Sequence, residues 1–150
     1  MIDSLSYEFF REFARYEYCL KAVGLRHNTK EAKANWDMYA NEVKDVLEKP
    51  KSPLLQEAID YFLTHPPKKQ IIKKDKLDWD DTPLEERVLA KKLFILIRRV
   101  RNNLFHGGKF NGNWFEPERS ELLMNYALII LRACGESHAK VSEAYTDNAV

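Results

Sequence analysis

Cysteine is almost missing from this chain of 150 residues, which has two. Cys19 and Cys134 are too few for a disulfide framework, and neither has metal-ligand spacing around it. Both are expected as small buried hydrophobes in a reducing compartment. An excess of one charge is missing as well: 24 Lys and Arg stand against 23 Asp and Glu, for a net charge of +1. Any nucleic-acid contact must therefore come from a local patch rather than from bulk composition. Long apolar runs are absent too. The longest, LFILI and YALIIL, are the size of a helix core and far short of a membrane span. The opening MIDSLSYEFFREF carries acids early and has no uninterrupted apolar stretch, so a secretory leader is not expected. No repeat, low-complexity segment, P-loop, nucleophile elbow or zinc pattern is present.

What is present is ordinary globular material, 45% hydrophobic and 31% charged. Residues 1–150 read as a single cytoplasmic domain, long enough to bury a core, with no membrane contact. Apolar residues at helical spacing predict an all-α bundle of about five helices. The first runs from Ser4 to Val23, with Gly24 as its stop, and the second from Lys30 to Leu47. The third spans Pro53–Leu63, with Ser52 ahead of a first-position proline. Residues 65–82, rich in lysine, read as a loop with at most a short extended piece. They are either a basic arm facing a phosphate backbone or a solvated loop pinned by Trp79. The fourth helix, the longest, is expected from Pro83 to His106, capped by Asp81 or Thr82. The fifth starts near Pro117 and stops at Gly135. Residues 136–150 are expected as a weakly ordered tail holding at most one short helix.

The end of the fourth helix, RRVRNNLFHGGKF, is where polar chemistry concentrates. At roughly 100° per residue, Leu89, Leu93, Leu96, Val100 and Leu104 fall in one sector of roughly 80° and form the core stripe. Asn102 and His106, four apart, share the nearly opposite face with Lys91, Ile95 and Arg98, while Arg101 lies on its flank. Phe94 and Phe105 border that face. Basic residues at a helix end are also simply favourable to the helix dipole. Large apolar members beside them, however, suggest a subunit interface around a polar cleft, and a two-fold axis would bring two copies of Arg101 and His106 together. Histidine can move a proton near neutrality, arginine grips phosphate oxygens with a planar fork, and asparagine offers both donor and acceptor. That set suits metal-independent RNA cleavage by a neighbouring 2′-hydroxyl. Ligand spacing for a metal is lacking, and no cofactor is implied. Arg98 and Lys109 would extend the phosphate-binding surface.

RNNLFHGG also fits the Arg-Asn-xxx-His pattern of the HEPN domain family (higher eukaryotes and prokaryotes nucleotide-binding). The chain resembles that family along its whole length, with FREFARYEYCLKAVG like the first helix and a basic loop ending in KLDW before the long motif helix. The resemblance implies a homodimer whose two motifs line one cleft, and in many members a metal-independent endoribonuclease that serves as a toxin or defence component. Carried over, Arg101 contacts the scissile phosphate, His106 acts as general acid or base, and Asn102 orients substrate or His106. An antitoxin or other regulatory protein would be a partner. One branch carries a tyrosine two residues after the His that its antitoxin modifies; Gly108 stands there in this chain, so that regulation is not expected. The alternative within the same family is a non-catalytic module binding nucleotide, RNA or a partner protein.

Overall fold

The computed structural model describes residues 2–105, 109–110, 113–114 and 116–147, the side chains of 105, 109, 110, 113 and 114 excepted. Among these, six helices form a bundle with two short hairpins. The helices are α1 (Ile2–Ala22), α2 (Trp36–Glu48), α3 (Pro53–Thr64), α4 (Leu89–Phe105), α5 (Pro117–Ser137) and α6 (Ala139–Asp147). One hairpin pairs β1 (Lys69–Lys73) with β2 (Lys76–Asp80), and the other pairs β3 (Lys109–Phe110) with β4 (Asn113–Trp114). In the bundle α2 packs on α4, α3 on α5, and α1 on both α5 and α6. Phe9, Phe62, Leu93, Ile97, Met124 and Ile130 are among the side chains fully enclosed between them. No helix among the described residues is long and apolar enough to cross a membrane.

Local signals account for the starts of α2 and α3. The Ser52 hydroxyl accepts from the Leu54 and Leu55 N–H groups with Pro53 at the first turn, the start expected from sequence. The second helix begins six residues later than expected. Asn35 is its cap, accepting the Met38 N–H at 3.1 Å, while the residues before it form a bridge between Arg26 and Ala34. No side chain from 26 to 33 is buried, so nothing there supports another helical turn.

The fourth helix also starts late, at Leu89 rather than Pro83. Asp80 takes both the Thr82 N–H and its hydroxyl, and Glu86 Oε2 takes the Val88 N–H at 3.1 Å. These local bonds occupy backbone N–H groups in an irregular stretch where the capping pattern suggested a helix. The lysine-rich segment, expected as loop, forms the β1–β2 hairpin. Its two-residue turn, Lys74–Asp75, has φ of 51° and 62°, the primed geometry that matches strand twist. Because Asn-Gly is the usual sequence for that turn, KKDK concealed it.

Gly135 was expected to end the fifth helix, yet α5 continues through it to Ser137. The reason is contact. The face of Gly135 lies against the Tyr16 ring, so an added methyl would collide with Cε1 and sit 3.0 Å from Cζ. The tail after it is also more ordered than expected. In α6, Val141 is completely buried and Tyr145 stacks on Tyr16 at 5.1 Å. The Tyr145 hydroxyl donates to Glu12, a buried carboxylate that also takes Arg132. His138 faces Glu42 with Nε2 at 2.7 Å and accepts the Val141 N–H on Nδ1. The one short helix that the sequence allowed here is present, and tertiary partners for its polar groups hold it down.

Gly135→Ala sets two effects against each other. Alanine gains about 1 kcal/mol in helix propensity, while overpacking a buried contact costs about 1–3 kcal/mol. Tyr16 is stacked on Tyr145 and would have to leave it to make room, so the variant should unfold at a lower urea midpoint than the wild type. An unchanged or higher midpoint would show that the ring yields.

Candidate functional site

The site is built from the outward face of α4 and the edge of β1. An open cleft of ≈ 500 Å³ is lined by Ile95, Arg98, Arg99, Arg101, Asn102 and Asn103 from the helix, with Lys69 and Gln70 from the strand. Four cations and three amides thus converge, and no carboxylate is among the lining residues. Such a surface suits an anion whose oxygens accept several hydrogen bonds.

Each helix residue is held differently. Asn102 is exposed at the cleft, as its place on the polar face predicted. Arg98 is half-buried, with Nε 3.4 Å from the Phe94 carbonyl oxygen. Burial lowers its pKa below the ordinary guanidinium value and Arg101 adds to that, while Asp37 and Glu17 oppose the change. It therefore holds its charge at a desolvation cost that a bound anion would offset.

Arg101 departs from the expected picture. Its guanidinium carbon lies 5.1 Å from the centre of the Phe13 ring on α1, so the side chain is tucked between helices and half-buried. Its Nε–H is shut off from solvent and meets no acceptor among the described residues. Phe94 departs further. Expected beside the exposed face, it is 1% exposed and lies flat on Tyr39, with ring centres 5.3 Å apart and planes within 4°. The buried sector of α4 is wider than the leucine stripe because α2 covers a second side of the helix.

His106 lies outside the described residues. Of Lys109 only the backbone pairing with Trp114 is described. The structure therefore brings together Arg98, Arg101 and Asn102 of the expected site residues and leaves the placement of the other two unstated.

Arg99 and Asn103 were not among the expected site residues, and Lys69 and Gln70 entered only as part of the lysine-rich segment 65–82. Arg99 Nη1 donates to the Pro67 carbonyl at 3.2 Å, and Asn103 Nδ2 donates to that of Lys68 at 2.7 Å. Burial lowers the Arg99 pKa, and the nearby Asp80 carboxylate partly restores it. Both residues therefore hold the root of the β1–β2 hairpin against α4 while bordering the cleft. Their i, i+4 spacing was visible, but the hairpin that gives it a purpose was not. Among the described residues, no three of His, Cys, Asp and Glu converge as a metal-ligand set.

Comparison with known protein families, curated proteins and solved structures finds no match for this chain.

Proposed function

We propose that this chain is a metal-independent endoribonuclease of HEPN type, working as a homodimer with the α4 clefts of two protomers joined. The observation that carries the reading is the cleft lining. Arg101 and Asn102 of the motif share one open surface with Arg98, Arg99 and Lys69, with no acid among them. A phosphodiester backbone presents the oxygens such a surface would bind.

In this reading the 2′-oxygen attacks the adjacent phosphorus and the bond to the 5′-oxygen breaks. His106 removes the 2′ proton or supplies one to the leaving 5′-oxygen, and a second copy across the dimer axis performs the other role. The guanidinium of Arg101, which lines the cleft, meets the charge that develops on the phosphoryl oxygens. Asn102 holds the neighbouring nucleotide in register. An antitoxin or similar regulator would act by covering the same cleft.

Purified protein incubated with total RNA in EDTA should cut it and leave 2′,3′-cyclic phosphate ends. If RNA stays whole while a nucleotide still binds in the cleft, the chain is the non-catalytic HEPN module instead.

A further inference from the structure

The β1–β2 hairpin carries charge in a place that its own stability disfavours. Its register sets Lys73 directly opposite Lys76, and Lys74 occupies a left-handed turn position beside them. Like charges opposed across an antiparallel pair destabilise it, and a left-handed lysine adds backbone strain. All three side chains are exposed, as is Lys69.

Strand alternation places Lys69 and Lys73 on the same face, about 14 Å apart along β1. The pairing brings Lys76 to that face as well. Lys69 also lines the cleft. Cations thus stand at both ends of this face, Lys69 at the cleft and the Lys73–Lys76 pair at the tip, with Ile71 and Asp78 between them. Two carboxylates share this face and keep their charge, and Asp75 adds a third in the turn, so four lysines of the hairpin stand against three acids. Asp80, opposite Lys69, holds Thr82, and Asp78, opposite Ile71, accepts the Trp79 N–H. The root of the hairpin is fixed by the bonds from Arg99 and Asn103, and by Arg119 Nη2 donating to the Pro66 carbonyl at 2.6 Å. The tip lies at the far end of the paired strands from this fixed root.

The geometry points to the β1–β2 hairpin as an arm that grips the phosphate backbone of single-stranded RNA outside the cleft, through Lys69, Lys73 and Lys76. This rests on the reading of the cleft as an RNA site and adds how far along the strand recognition extends. A polyanion lying on the arm would relieve the Lys73–Lys76 repulsion. The exposed pair Ile72 and Leu77, opposite each other on the other face, takes no part.

The test is fluorescence anisotropy with end-labelled single-stranded RNA, using full-length His106→Ala protein so that the RNA survives. On an oligonucleotide of about twelve residues, adding Lys73→Gln and Lys76→Gln should weaken binding about tenfold and lower the slope of log affinity against log salt by about 1.4. On one of about four residues, filling the cleft alone, the two proteins should bind equally. Thermal stability should hold or rise in the lysine variant, since a repulsion has been removed. Unchanged affinity and slope, while Arg101→Ala still weakens binding, would overturn the arm and leave the cleft reading standing. An equal loss from Ile72→Ser would also overturn it, because hairpin integrity rather than charge would then be responsible. Failure of the His106→Ala parent to bind any RNA would remove the cleft reading and the arm together.

Discussion

Arg101→Ala and His106→Ala should each leave a folded protein that has lost nearly all RNA cleavage. Removing a general acid–base group lowers rates by roughly 10²–10⁴-fold, and removing a donor that meets transition-state charge lowers them by roughly 10²–10³-fold. The two variants should differ in what remains. Arg101→Ala also removes the contact with the Phe13 ring, worth about 0.5–1 kcal/mol at a partly exposed site, so its thermal midpoint should fall slightly. Arg101→Lys keeps the charge and loses the planar fork, and should stay well below wild type in rate. The measurement is single-turnover cleavage of a labelled RNA in EDTA, with circular dichroism to check the fold. Wild-type rates in both alanine variants would place the chemistry elsewhere. A strictly monomeric protein at micromolar concentration would sink the composite cleft, because one chain supplies a single Arg-Asn-His set.

The second large effect concerns stability, with two neighbours expected to move in opposite directions. Phe94 is the side chain that fixes α4 on α2. It stacks on Tyr39 and meets the Trp36 ring at 5.2 Å, and all three are buried. Truncation to alanine removes the ring and leaves a hole among stiff aromatic neighbours, at a cost of about 3–5 kcal/mol. For a chain of this size that corresponds to a fall in thermal midpoint of about 10 °C. Tyr39→Phe should do the reverse. The Tyr39 hydroxyl is buried with no hydrogen-bond partner among the described residues, and burial pushes its pKa well above the ordinary value. Removing an unsatisfied buried hydroxyl recovers about 1–3 kcal/mol of desolvation and keeps the stack on Phe94. Calorimetry on the two variants checks both directions. A Tyr39→Phe protein less stable than wild type would mean that the hydroxyl has an acceptor after all.

The site was partly legible in the sequence. Asn102 and Arg98 were placed correctly, because a regular helix carries each residue around the axis by a constant angle and both lie on the outward side. Arg101 and Phe94 were not, and the reason is the same for both. Helical periodicity finds one apolar stripe, but it does not say how many neighbours a helix has. α4 is covered by α2 on a second side, so Ala90, Phe94 and Ile97 are buried in addition to Leu93, Leu96 and Val100. Arg101 follows Phe94 and Ile97 along that second row and ends against Phe13. The hairpin escaped notice because neither a glycine nor an asparagine marks its turn. Its one root contact with a helical signature, the Arg99 and Asn103 pair, reaches backbone carbonyls some 30 residues away.

Sequence alone determined the helical class, the proline-marked starts of α3 and α5, the core stripe of α4 and the polar cluster at its end. All of these rest on interactions within a few residues, where chemistry and spacing act without a partner. Tertiary structure alone decided that β1 stands beside α4, that Arg101 turns toward α1, that α5 runs through Gly135, and that α6 docks at all. Each of these depends on a surface supplied by a distant part of the chain. The Tyr16 ring against Gly135 and the Glu12 carboxylate that takes Tyr145 and Arg132 are two such surfaces. Their strength comes from burial and mutual satisfaction of polar groups, which exist only once the helices have packed.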